Sequence, residues 1–98
     1  MRDPSRVRVT GPLVPYVEGF CGELAEEGYT PASAARQVQL MAHLSRWLSS
    51  QGLVAGDLTP TQVDEFLRAR RADGYTMELS ERAVTPLVKY LRGLGVAP

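Results

Sequence analysis

Residues 30–52 read TPASAARQVQLMAHLSRWLSSQG, and this stretch decides the fold. Thr30-Pro31 predicts a helix start. A threonine oxygen accepts from a free N–H of the first turn, and proline's missing N–H falls where no partner exists anyway. Gly52 predicts the stop. Between them, at about 100° per residue, Trp47, Leu40, Leu44, Leu48, Met41, Ala34, Val38, Ala42 and Ala35 fill an arc of roughly 240°. A helix resting on a surface shows an apolar arc nearer ~100–140°. This one must be covered by several neighbours, which makes it the hub of a bundle. Ser33, Gln37 and Gln51 interrupt the arc near its ends, where water can still reach.

The same punctuation recurs outward from the hub. Thr59-Pro60 predicts a third helix from Pro60 to about Asp73, with Val63, Phe66 and Leu67 inward, and Thr59-Pro60-Thr61-Gln62 fits a capping box. A fourth lies between Glu81 and Arg92, with Val84, Leu87, Val88, Leu91 and then Leu94 inward. Thr85-Pro86 falls inside it, which predicts a kink or a restart with Thr85 as the cap. Before the hub, Leu13, Tyr16, Val17, Phe20 and Leu24 share one helical face, so a first helix runs from about Leu13 to Glu27. Gly28, Gly52, Gly74 and Gly93 mark the stops. Residues 1–11 read as a polar, flexible tail. Val7-Arg8-Val9-Thr10 is the one strand candidate and has no partner strand. The expected fold is all-α, four helices around a long second one, in a domain spanning residues 12–95.

Composition sets the outer limits. A chain of 98 residues with 44% hydrophobic and 22% charged residues supports one ordinary globular core. No apolar run is long enough to span a bilayer, and the N-terminus lacks the apolar stretch of a secretory signal. Cys21 and His43 are single instances of their types, which excludes a disulfide framework and a zinc finger, and no cofactor motif is present. The expected compartment is the cytoplasm, with no membrane partner.

The formal net charge is zero, but its distribution is uneven. Residues 12–28 carry Glu18, Glu23, Glu26 and Glu27 and no base, whereas residues 29–56 carry Arg36 and Arg46 and no acid. Such segregation shapes the field a partner meets. The wet remainder of the hub helix holds Arg36, Gln39, His43, Arg46 and Ser50 in one line at spacings of three and four. Arginine reads guanine or phosphate and glutamine reads adenine through planar two-point contacts. A solvated helix face usually mixes signs, and the missing acids favour a nucleic acid as partner. Arg82, Thr85, Lys89 and Arg92 form a second line on the fourth helix. Arg68 and Arg70 read differently: Asp64 stands four before Arg68, and Arg70 lies beside Val63 with its stem along the core. Gly19-Phe20-Cys21-Gly22 matches a KH-type GXXG loop, but the strands that loop needs are absent. His43 has no companion for acid–base or nucleophilic work, so the chain is not expected to be an enzyme.

Several stretches in order carry a resemblance. They are Leu13-Val14-Pro15-Tyr16-Val17 through Glu23-Leu24, Gly28-Tyr29-Thr30-Pro31, and His43-Leu44-Ser45-Arg46-Trp47-Leu48 with Gly52-Leu53. Leu58-Thr59, Val63-Asp64-Glu65-Phe66-Leu67 and Tyr90-Leu91-Arg92-Gly93-Leu94-Gly95 complete the set. The chain resembles the N-terminal core-binding, SAM-like domain of the tyrosine recombinases, the phage-integrase family, over nearly its whole length. The resemblance implies an orthogonal SAM-like bundle that clamps one side of duplex DNA, using its second and fourth helices. It also implies a separate C-terminal catalytic domain as partner, joined by a linker beginning at residues 96–98, and other recombinase protomers on the same DNA. None of Tyr16, Tyr29, Tyr75 and Tyr90 lies in a motif matching the family's nucleophile. A rival reading is a SAM-like protein–protein module, whose acidic first helix meets the basic second helix of another copy. A helix-turn-helix regulator is disfavoured by the long connection from Leu53 to Leu58.

Overall fold

A computed structural model describes residues 7–75 and 80–98. It shows four helices and, among the described residues, no strand: α1 (Val17–Glu26), α2 (Pro31–Ser50), α3 (Pro60–Ala72) and α4 (Glu81–Gly93). The chain is an all-α bundle, and α2 is its hub. Ala34, Ala35, Val38, Leu40, Met41, Ala42, Leu44, Ser45 and Leu48 are all buried along that one helix. α1 and α4 pack directly on it. α3 reaches it through side chains, the rings of Trp47 and Phe66 lying 5.7 Å apart.

Helix starts follow the threonine rule twice and break it once. Thr30 accepts from the Ser33 N–H, and Thr59 from the Gln62 N–H. The capping box at Thr59 is only half made, since the Thr59 N–H donates to the Asp57 carbonyl instead. Thr85 caps nothing. Ser80 caps α4 by accepting from the Ala83 N–H, and the Thr85 hydroxyl donates back to the Glu81 carbonyl. The helix therefore runs through Pro86 without restarting. Proline offers no N–H to the Arg82 carbonyl. At the next carbonyl, Ala83, Gln37 Nε2 donates across from α2 at 3.2 Å and ties the two helices where α4 is weakest. Gln37 Oε1 is left buried without a donor.

All four helices stop in the same way. The N–H of the glycine just past the helix bonds three residues back, and the next N–H bonds five back. The pairs are Tyr29 to Leu24, Leu53 to Leu48, Tyr75 to Arg70 and Val96 to Leu91. This is the Schellman arrangement, which needs the glycine in the left-handed region, as at Gly28 (φ 86°) and Gly74 (φ 88°). The fourth stop is Gly95, not Gly93, which is still helical. The shift corrects Leu94 as well. It lies past the helix end, half exposed, while Val96 folds back and Ala97 is buried. Residues 96–98, expected as the start of a linker, are thus tied to α4, with Arg92 Nε donating to the Pro98 oxygen at 2.8 Å.

The opposite end brings a further correction. Within the expected tail, Val7 and Val9 pack partly buried against the core. The reason is Ser45, a serine inside the apolar arc of α2 with no solvent exposure. Its hydroxyl donates to the Thr10 carbonyl and accepts from the Leu13 N–H at 3.0 Å. Gly11 sits between those two bonds, where a Cβ would come within 2.9 Å of Ser45 oxygens. After it, a 3-10 turn over Val14–Tyr16 replaces the first turn expected of α1. Residues 1–6 of the expected tail lie outside the described residues.

α1 packs on α4 where Gly19 faces Tyr90. A Cβ on Gly19 would stand 2.0 Å from the Tyr90 hydroxyl oxygen, whereas one on Gly22 would meet nothing. Phe20 and Tyr90 stack tilted there, 5.4 Å apart.

Two stability measurements by chemical denaturation check this packing. Ser45→Ala strands a buried N–H and costs about 1–3 kcal/mol. Gly22→Ala gains about 0.5–1 kcal/mol from helix propensity, but Gly19→Ala loses about 1–3 kcal/mol by overpacking. Tyr90→Phe, by removing the obstructing oxygen, recovers most of the Gly19→Ala loss in the double variant.

Candidate nucleic-acid interface

The 3.6-residue repeat of α2, with its apolar arc committed to the core, leaves one strip for solvent. Arg36, Gln39, Arg46 and Ser50 are exposed along it, and His43 is half-buried. On α4 the same logic exposes Arg82, Thr85, Lys89 and Arg92 opposite Val84, Leu87 and Leu91. The side chains differ in what they have left to offer. The Ser50 hydroxyl donates to the Trp47 carbonyl and the Thr85 hydroxyl to that of Glu81, so each can only accept further bonds. Arg92 has committed its Nε. Among the described residues, Arg36, Gln39, Arg46, Arg82 and Lys89 make no side-chain hydrogen bond or ion pair within the protein.

His43 is held from α3. Arg70 Nη1 lies 2.8 Å from His43 Nδ1. A guanidinium has only donors, so Nδ1 accepts and the ring proton sits on Nε2. Arg70 is itself 4% exposed, and its guanidinium lies 4.3 Å from the Tyr75 ring centroid and 5.8 Å from that of Phe66. His43 and Tyr75 rings are tilted together at 5.3 Å. The expected core role of Arg70 holds, and Arg68 pairs with Asp64 at 3.1 Å as its spacing predicts. Cys21 packs half-buried against the core.

The two lines are not brought into one cleft. His43, Arg46 and Ser50 border a groove between α2 and the C-terminal half of α3, which Ala69, Asp73 and Tyr75 complete. Thr85, Lys89 and Arg92 border another groove against the start of α3, with Glu81 at its edge. Thr85 and Lys89 also flank a third, between α1 and α4, where Glu23 and Glu27 stand on the rim. Along these grooves the α2 line meets Asp73, and the α4 line meets Glu81, Glu23 and Glu27.

Sequence reasoning missed the aromatic side of the first groove, Phe66 and Tyr75. A signal existed. Tyr75 follows Gly74 as Tyr29 follows Gly28, and the stop motif places that residue back over the one five before it. For Tyr29 that residue is Leu24; for Tyr75 it is Arg70.

Among the described residues no helix is long and apolar enough to cross a membrane, and no group of three His, Cys, Asp or Glu stands where it could hold a metal ion. No protein-family model matches the chain, and no curated protein or solved structure does.

Arg70→Ala removes a charge-assisted bond and a buried cation–π contact together, and costs about 2–3 kcal/mol in a denaturant titration. Arg70→Lys recovers little of this, because an ammonium cannot both lie flat on Tyr75 and reach His43.

Proposed function

We propose that the chain is a DNA-binding module, the core-binding domain of a tyrosine recombinase, contributing grip on duplex DNA to a catalytic domain elsewhere in the same protein. The observation that carries the reading is the α2 face. Arg36, Gln39 and Arg46 project from one rigid helix, exposed and uncommitted among the described residues, in a segment of 28 residues (29–56) that contains no acid. A helix of this length presents its donors at fixed spacing to a groove or a phosphate row, and fixed donors lose little entropy on binding. The bundle's four helices and central α2 agree with the fold expected of that domain. In this reading Arg36 and Arg46 neutralise phosphates, and Gln39 lies where it can reach a base edge. Lys89 and Arg92 add a weaker second contact, diluted by the acids that border their grooves. Catalysis, which needs a nucleophile supported by a base, belongs to the other domain.

Fluorescence anisotropy with a labelled duplex tests this. The expected dissociation constant is roughly 1–100 μM at physiological salt, in the range of non-specific contacts. If four cations each neutralise a phosphate, log K falls against log salt with a slope of about −3.6. Arg36→Ala with Arg46→Ala flattens the slope by about two units and weakens binding. Arg68→Ala with Arg71→Ala removes the same formal charge from α3 and leaves binding nearly unchanged. Equal losses from the two pairs, or none from the first, overturn the reading. In the second case a mass that rises with protein concentration in the absence of DNA identifies a protein-interaction module.

A further inference from the structure

The α1–α4 groove also has rings, Phe20, Tyr29 and Tyr90, but carries Glu23 and Glu27 beside them, whereas the groove between α2 and α3 joins rings to arginines. Its walls are rings: Trp47 from α2, tilted against buried Phe66, and Tyr75 beyond the end of α3. Tyr75 is 42% exposed. Trp47 is half-buried. The floor between them is open because α3 carries a small residue there, Ala69. Charge is arranged along its length. Arg46 stands at the α2 edge, exposed and without a partner among the described residues, while Asp73 borders the groove from beyond the end of α3. The cavity is about 230 Å³, below the ~300–1,000 Å³ typical of sites for drug-sized ligands.

We infer that this groove takes one unstacked nucleobase, its ring against Trp47 and Tyr75 and its phosphate toward Arg46. The inference rests on the DNA-binding reading and deepens it, from backbone contact to capture of a base outside the double helix. Aromatic walls recognise the face of any base, so the site is tolerant of sequence. Arg46 sets polarity, since its exposed guanidinium draws the phosphate toward the α2 edge. Arg70 and His43 hold the far wall, fixing Tyr75 through the 4.3 Å cation–π contact and the 5.3 Å ring contact, so the site is formed before the base arrives. A base paired inside a duplex has no exposed face to offer. The groove therefore distinguishes a single strand, or a duplex with an unpaired position, from a perfect duplex.

Trp47 is the only tryptophan in the chain, so its emission reads this groove directly. The probes are thymidine monophosphate, an oligothymidylate of about ten nucleotides, a matched duplex, and the same duplex with one unpaired thymidine. The oligothymidylate and the unpaired-thymidine duplex are expected to quench Trp47 at concentrations at least tenfold below any quenching by the matched duplex. Saturable quenching by the monophosphate as tight as by the oligomer assigns the site to free nucleotides, and weaker quenching assigns it to a base within a strand. Tyr75→Ala weakens quenching by about 5- to 100-fold, the usual worth of one stacked base. Ala69→Leu fills the groove without touching a ring or a charge and abolishes quenching; Tyr75→Ala, past the end of α3, decides alone if that variant fails to fold. Binding of duplex by anisotropy with no quenching by any probe overturns the inference and leaves the DNA-binding reading standing. Quenching by the single strand with no duplex binding supports the groove and overturns the duplex reading. Unchanged quenching in Tyr75→Ala overturns the groove.

Discussion

Everything in this bundle answers to the width of the apolar arc on α2. A helix that hides so much of its circumference cannot be satisfied by one neighbour, and its fully buried polar residue, Ser45, had to be given two backbone partners. α1, α3, α4 and the segment before α1 all arrange themselves to cover it. Burial of each large side chain is worth roughly 1.5–3 kcal/mol, so no local preference elsewhere in so short a chain competes with it. The uncovered strip is as much a product of that constraint as the core is. Its residues share a line because nothing else on α2 is left to face water.

Legibility in the sequence followed from how local each cause was. The Thr-Pro starts of α2 and α3 and the extent of the hub were plain, because a cap or a periodic face needs only neighbours within a few residues. Thr85 misled for an instructive reason. The local signature for a cap is present, but Ser80 lies one turn earlier and claims the role, leaving the proline inside a helix that Gln37 then steadies from a distance. Gly93 misled in the same way, since a second glycine two residues later makes the turn. What could not be read were contacts across the chain. The approach of Tyr90 to Gly19, the use of Ser45 as a stitch for residues 10–13, and the meeting of His43 with Arg70 depend on how helices sit against each other, and no periodicity carries that. Of the interface, the exposed lines on α2 and α4 were legible as faces, while their separation into different grooves was not.

Charge segregation and fold are coupled more closely than a neutral chain suggests. Glu23 and Glu27, at the end of α1, line a groove shared with α4, so they temper Lys89. Arg70 turns its donors and flat face to rings and an imidazole rather than to solvent. The basic character that matters is thus carried by very few side chains, placed where the hub helix has no other use for its surface.

The four helix stops share one cassette: a residue, a glycine four further on, and then a side chain that folds back over the first. Three times the first member is a leucine, and the fold-back merely closes the core. In the cassette ending α3 the leucine is replaced by Arg70. The backbone turn survives unaltered, since it is made by peptide groups and a glycine that ignore what the first side chain is. A structural full stop thereby becomes a chemically distinct surface at the expense of a single position. Helix termination of this kind is a place where a small bundle can acquire new chemistry without renegotiating its fold.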